Sequence, residues 1–365
     1  MKSEFESYLK FLRFCLSETG EVPDCARDIS WMNLRDFANQ HSIVGVCWRG
    51  VERLGSMTVN KPTDDDVMAW MALVAKVRKQ NRLLDEKTLF VSQAFLTEGF
   101  PNCILKGQGN ALMYPDPTLR MAGDVDIWLD GTRRDITRYV RGLFPKSKMI
   151  YLHIDFPAVK GVDVEVHYRP SYVNNPFCNR RLQRWFESEK REQMGRRVAL
   201  ASAEGSVPVP TIRFNLVYQL CHVMHHIFDE GIGLRQLVDY YYLLLQAEDI
   251  DRAGLNRQLS SYNMLRFARA MMWIEHEILG LPERYLLADP DEKRGRVVLE
   301  DVLRGGTFGR YNDDYEHASA RRFYPKRAYK KLVHSLKFMR YFPSEAFFEP
   351  LFRTWHFLWR MRYRA

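Results

Sequence analysis

Gly123-Asp124-Val125-Asp126-Ile127-Trp128-Leu129-Asp130-Gly131 alternates acidic and apolar side chains and then stops at a turn. Alternation with period two predicts a strand that buries one face. Residues i and i+2 of a strand project from the same side. Asp124 and Asp126 therefore stand together, with Val125 and Ile127 turned to the core. Adjacent carboxylates repel each other, and a hard divalent cation with oxygen ligands relieves that cost. Asp163-Val164-Glu165-Val166-His167 repeats the pattern, so that Asp163, Glu165 and His167 share a face. If the two strands pair, a third carboxylate joins the first two. Three carboxylates on adjacent strands suit two Mg²⁺ ions about 3.5–4 Å apart, an arrangement used for phosphoryl and nucleotidyl transfer.

Upstream, Asn102-Cys103-Ile104-Leu105 reads as a strand that runs into Lys106-Gly107-Gln108-Gly109 and a short helix, Asn110 to Tyr114, broken by Pro115-Asp116-Pro117. A glycine turn before a helix lets backbone N–H groups approach a phosphate, and Lys106 and Arg120 supply side-chain charge. Downstream, Thr132 to Leu143 reads as helix, and Ile150 to Phe156 and Gly161 to Tyr168 as strands with Lys160-Gly161 as the turn. Taken singly these features are ordinary, because exposed strand faces are polar and glycine serves turns. Their order is the signal.

The flanks are helical. Apolar residues return at helical spacing over Phe5 to Leu16, Asp28 to Leu54 and about Asp64 to Phe100, the last after a Pro62-Thr63 start signal. Phe214 to Phe228 and Leu234 to Ala247 are separated by Gly231-Ile232-Gly233, and Asp249 to Leu279 continues to a Gly280-Leu281-Pro282 stop. The fold class expected is α+β. A catalytic core over 86–212 lies between an N-terminal helical region, 1–85, and a C-terminal helical domain, 213–365, with a basic aromatic tail.

Composition bounds the function classes. The 365 residues are 46% hydrophobic, enough for a sizeable core and against wholesale disorder. No segment approaches the roughly 18 uninterrupted apolar residues of a membrane span. MKSEFESYLK is not a secretory leader, so the chain is expected in the cytoplasm with its six cysteines unpaired. The net charge is +9, yet residues 320–365 alone carry 12 Lys/Arg and 2 Glu. The excess therefore sits in the tail. There it fits a helical face with aromatics packed inward, an acidic partner such as nucleic acid, or an anionic membrane surface. No Gly-x-Ser-x-Gly and no P-loop occurs, against serine hydrolase and P-loop chemistry.

Leu105-Lys106-Gly107, Ala111-Leu112, Tyr114-Pro115-Asp116-Pro117, Arg120 and Gly123-Asp124-Val125-Asp126-Ile127 together resemble the signature of the uncharacterised nucleotidyltransferase family, within the DNA polymerase β-like superfamily. Val164-Glu165-Val166-His167-Tyr168 resembles its second acidic strand. His222, His225-His226 and Gly231 through Asp239 resemble its helical signature, and Phe37 through Val46 is a weaker match. The resemblance implies a small mixed sheet flanked by helices, with Asp124, Asp126 and Glu165 as catalytic metal ligands for two Mg²⁺ ions. It implies transfer of a nucleoside monophosphate from an NTP to an acceptor that the sequence does not identify. The wider superfamily has Gly-Gly or Gly-Ser at the phosphate turn. Here Lys106, Gly107, Gln108 and Arg120 stand in that place.

Arg235 lies just after the Gly-Ile-Gly break, placed either to reach phosphate with its planar fork or to pair with Asp239 at i,i+4. His222, His225 and His226 lie on one helix and either pack against the core, line the nucleotide pocket or bind Zn²⁺. The reading is a Mg²⁺-dependent nucleotidyltransferase in which Glu165 also accepts the acceptor's proton. The alternatives are a catalytically degenerate binding protein that uses the basic tail for nucleic acid or another acidic partner, and a phosphohydrolase built on the histidines.

Overall fold

The computed structural model describes residues 3–17, 19, 21–54, 60–229, 231–306 and 324–363. Four short strands form one sheet: β1 (Asn102–Ile104), β2 (Asp124–Leu129), β3 (His153–Asp155) and β4 (Asp163–His167), in the order β1-β2-β4-β3. The inner pair β2/β4 is parallel, and each outer strand is antiparallel to its neighbour. A parallel pair needs a long crossover, and the Arg133–Leu143 helix provides it, starting where the Thr132 side chain accepts from the Asp135 N–H. The sheet is mixed and small, and helices flank it on both sides in sequence, as an α+β chain requires.

Alternation decides what each face meets. Val125, Ile127 and Leu129 of β2, Val164 and Val166 of β4 and Ile154 of β3 pack on Leu84, Val91 and Phe95 of the Asp64–Thr97 helix and on Ile136 and Val140 of the crossover helix. Each side chain of this kind contributes roughly 1.5–3 kcal/mol when fully buried. The long helix begins in a capping box, Thr63 with Asp66. The other face of the sheet turns to the Pro176–Gly195 and Ile212–Asp229 helices. Trp128 stacks there on Phe214, with ring centroids 5.6 Å apart, and the Lys190 ammonium sits over its ring.

Several elements depart from the pattern reading. The Pro176–Gly195 helix and a hairpin of β5 (Arg197–Ala199) and β6 (Ser206–Pro208) have no counterpart in it. The short helix after the glycine turn is Gln108–Ala111 rather than 110–114. Asp249 to Leu279 divides into Arg252–Ser261 and Leu265–Trp273, because Asn263 turns left-handed at φ 60°. The next turn, Ile274–Ile278, widens to a π-helix. All six cysteines are unpaired.

The tail forms two helices, Tyr324–Met339 and Pro343–Arg362. Arg321 and Arg322, and the side chains of Lys326, Arg327 and Lys330, lie outside the described residues. Aromatics do not all pack inward: Phe338 and Phe342 are buried, whereas Phe347, Trp355 and Phe357 are exposed. The Glu345 carboxylate accepts the Asn174 N–H at 2.7 Å and ties the last helix to the segment after β4. Among the described residues no helix is long and apolar enough to cross a membrane.

Candidate functional site

The parallel register sets Asp126 beside Glu165, and Asp124 beside Asp163. Since i and i+2 share a face, Asp124, Asp126 and Glu165 all lie on the side of the sheet opposite its valine layer. Asp126 is fully buried. Its Oδ1 lies 2.9 Å from His167 Nε2 and its Oδ2 lies 3.0 Å from Lys106 Nζ, the latter outside hydrogen-bonding geometry. Burial opposes the Asp126 charge, but Lys106 and His167 outweigh it and hold the carboxyl below its ordinary range. Asp124 differs. Its side chain makes no hydrogen bond or ion pair among the described residues. Burial, and then Asp126, push its carboxyl up against the pull of Lys106. Glu165 is half-buried; burial disfavours its charge too, yet His153 and His167 hold it well below the ordinary range.

The glycine turn is fitted to this place. Gly107 has φ +56°, and a Cβ there would lie 3.1 Å from the Asp124 carbonyl oxygen. Lys106, one residue earlier, is pulled down by burial and raised by Asp126, Asp124 and Glu165, with the net shift upward. Its ammonium also lies 3.5 Å from His222 Nε2. His167 rises to about 9: burial works against its charge, and bonds to Asp126 and Glu165 outweigh that. In this arrangement the excess negative charge of three acids is met by a lysine and an imidazolium.

The remaining anion-binding candidates sit further back. The Gln108 amide is buried against the Asp85 carboxylate, which also accepts the Ser202 N–H at 2.7 Å. Arg120 makes a two-bond fork to Asp239, at 2.7 and 2.8 Å, and its Nη1 has no hydrogen bond among the described residues. Tyr114 and Asn110 donate to the same carboxylate, and Gln219 donates to Asn110. Arg235 does not take Asp239 as an i,i+4 partner. It donates to the Met121 carbonyl at 2.8 Å, and its Nε is buried without a partner among the described residues. The charges of Arg120 and Arg235 both act on Asp124.

The three histidines of the Ile212–Asp229 helix pack. His222 lies 4.3 Å from the His226 ring, and His225 sits 4.3 Å from the ring of Tyr172. Burial lowers all three, His222 well below its ordinary value, His225 to about 4 and His226 to about 3. A neutral His222 can accept from Lys106. Among the described residues the group whose donor atoms converge within 4.8 Å is elsewhere, at His153, Glu165 and His167. His153 is not among the residues that the sequence pattern singles out. Its signal was the position itself, on a strand that pairs with His167.

The acids fit a hard divalent cation. Among the described residues Asp124 is an unpaired carboxylate held against a second one, and Asp126 Oδ2 is buried with no hydrogen bond.

A family model described as uncharacterised nucleotidyltransferase matches residues 27–280. No curated protein matches the chain. Among solved structures, the antigenic nucleotidyltransferase-like protein from Paracoccidioides brasiliensis is similar at 15% identity and a TM-score of 0.29, over 50% of this chain and 85% of that one. A likeness that weak adds nothing to the fold described above.

Proposed function

This chain belongs to the uncharacterised nucleotidyltransferase family, and from that premise we propose that it transfers a nucleoside monophosphate from an NTP to an acceptor, in the cytoplasm and with Mg²⁺. The observation that carries the reading is the in-register pairing of Asp126 with Glu165, with Asp124 on the same face beside the Lys106-Gly107 turn. Asp124, Asp126 and Glu165 would hold the metal, which supplies neutralisation of the triphosphate and of the departing pyrophosphate.

The chain's own residues do the rest. Lys106 trades its carboxylate partner for a phosphate, a move that keeps its buried charge compensated. Gly107 lets the backbone come close where a side chain would stand in the way. Arg235, with Nε free, and Arg120, with Nη1 free, bring positive charge from behind Asp124. The Gln108 side chain supports the turn through Asp85. Glu165, held ionised by two histidines, accepts the proton of the attacking hydroxyl or amine. Basic side chains of the tail are the candidate contact for a nucleic-acid acceptor.

The test is incubation of lysate with the purified chain, Mg²⁺ and NTPs radiolabelled at the α-phosphate. Label should pass to an acceptor and should be lost with Asp124→Asn and Asp126→Asn. Absence of transfer from every NTP overturns the reading in favour of a nucleotidyltransferase-fold binding protein.

A further inference from the structure

Two histidines stand against the acids, and the proposed transfer uses neither as a ligand. His153 on β3 and His167 on β4 are register partners, with ring centroids 5.0 Å apart. His153 Nδ1 lies 3.0 Å from Glu165 Oε2. His167 Nε2 lies 3.5 Å from the same oxygen and 2.9 Å from Asp126 Oδ1. These inner nitrogens and carboxylate oxygens converge on one small volume.

The outer nitrogens are held as well. His167 Nδ1 is 3.2 Å from the Arg169 carbonyl oxygen, which only accepts, so Nδ1 carries a hydrogen. His153 Nε2 faces the Asp155 carboxylate at 3.7 Å. Each ring is thereby oriented with its inner nitrogen as the lone-pair side when neutral. A lone pair aimed at two carboxylates is repulsive unless a cation stands between them. A proton can serve, and so can a metal. His153 Nδ1 is buried without a hydrogen bond of good geometry, and it points into the same volume. A histidine that gives its second N–H to a carbonyl or a carboxylate is the usual environment of a metal-bound imidazole.

We propose that His153, Glu165 and His167, with Asp126 alongside, form a site for a borderline divalent cation, Mn²⁺ or Zn²⁺, in preference to Mg²⁺. Imidazole nitrogen suits these metals, whereas Mg²⁺ keeps to oxygen ligands and water. The inference deepens the proposed function by naming the kind of one of its two cations. It rests on that reading only for what the cation does. Glu165 is shared between the two positions, and Asp155 and the Arg169 carbonyl act as positioning groups for the rings.

The test is Mn²⁺ titration of the full chain followed by electron paramagnetic resonance and spin-echo modulation. One Mn²⁺ per chain should bind, show modulation from imidazole nitrogen, and resist a large excess of Mg²⁺. His153→Ala should weaken binding by at least roughly 10–100-fold and reduce the modulation. Mn²⁺ that shows no nitrogen modulation, that Mg²⁺ displaces readily, or that does not bind at all overturns the site. Where His153→Ala fails to fold, the wild-type modulation decides alone. Nitrogen-ligated Mn²⁺ without nucleotidyl transfer sinks the proposed function and leaves the site standing. Transfer without nitrogen ligation does the reverse.

Discussion

Two buried charge clusters lie close together in this molecule and are built on opposite plans. Around Asp239, one carboxylate receives Arg120 through two bonds, together with Tyr114 and Asn110, and Asn110 is itself held by Gln219. Around Asp126, three acids share a sheet face, and one of them, Asp124, has no side-chain partner among the described residues. Burial opposes the charge in both places. At Asp239, Arg120 reverses that and holds the carboxyl down; at Asp124, burial and Asp126 win and push it up. A cluster that satisfies itself is scaffold. A cluster that leaves a carboxylate unpaired beside two others is a place where something else is meant to bind.

The contrast breaks most visibly at Asp239. Asp239→Ala leaves Arg120 buried and uncompensated and should cost about 3–5 kcal/mol in urea denaturation. A cost under about 1 kcal/mol would show that the network is not structural. Asp124→Asn should do the opposite. Transfer should fall at least ~100-fold, while stability stays level or rises by up to about 1 kcal/mol once a half-buried carboxylate crowded by Asp126 is gone.

Glu345 sharpens the comparison as another buried acid, its Oε2 taking the Asn174 N–H and its Oε1 without a hydrogen bond among the described residues. Burial raises it to about 7, past the opposing bonds from Asn174 and Asn175. The folded state then binds more protons than the unfolded one between the ordinary value of 4.5 and about 7. Its contribution to stability is full below that window and lost as pH rises through it. Glu345→Gln should flatten that fall and stabilise the chain at pH 8 by on the order of 2 kcal/mol; an unchanged pH profile would count against it. The smallest effect is expected at the turn. Gly107→Ala should cost about 1–2 kcal/mol in the same denaturation assay, because φ +56° with ψ −114° is open to glycine and strained for an L side chain. Full stability would mean that the turn relaxes.

The acidic strand was legible because alternation is a local property. Val125 and Ile127 belong on the face opposite Asp124 and Asp126, and the register follows from the hydrophobic layer. The Asp64–Thr97 helix was legible from its apolar spacing and its Thr63 cap. The Pro176–Gly195 helix escaped, although Asn175 caps it and Pro176 opens it, because its buried stripe of Cys178, Asn179, Leu182, Phe186, Lys190 and Gln193 is half polar and leaves little apolar period to read. The β5–β6 hairpin escaped because three-residue strands are too short for a period to show. Arg120 and Arg235 were recognisable as candidates but not by partner. The choice of Asp239 by Arg120 is made across 119 residues of chain, and no local spacing encodes it. His153 is the same case: it matters through the strand beside it.

The central claim is that the acids at 124, 126 and 165 form a cation and nucleotide site, and ligand-induced stabilisation tests it without knowledge of the acceptor. The melting temperature of the wild-type chain should rise with ATP plus Mg²⁺, and the rise should vanish in Asp124→Asn. No rise with any NTP, or an equal rise in the variant, would contradict it.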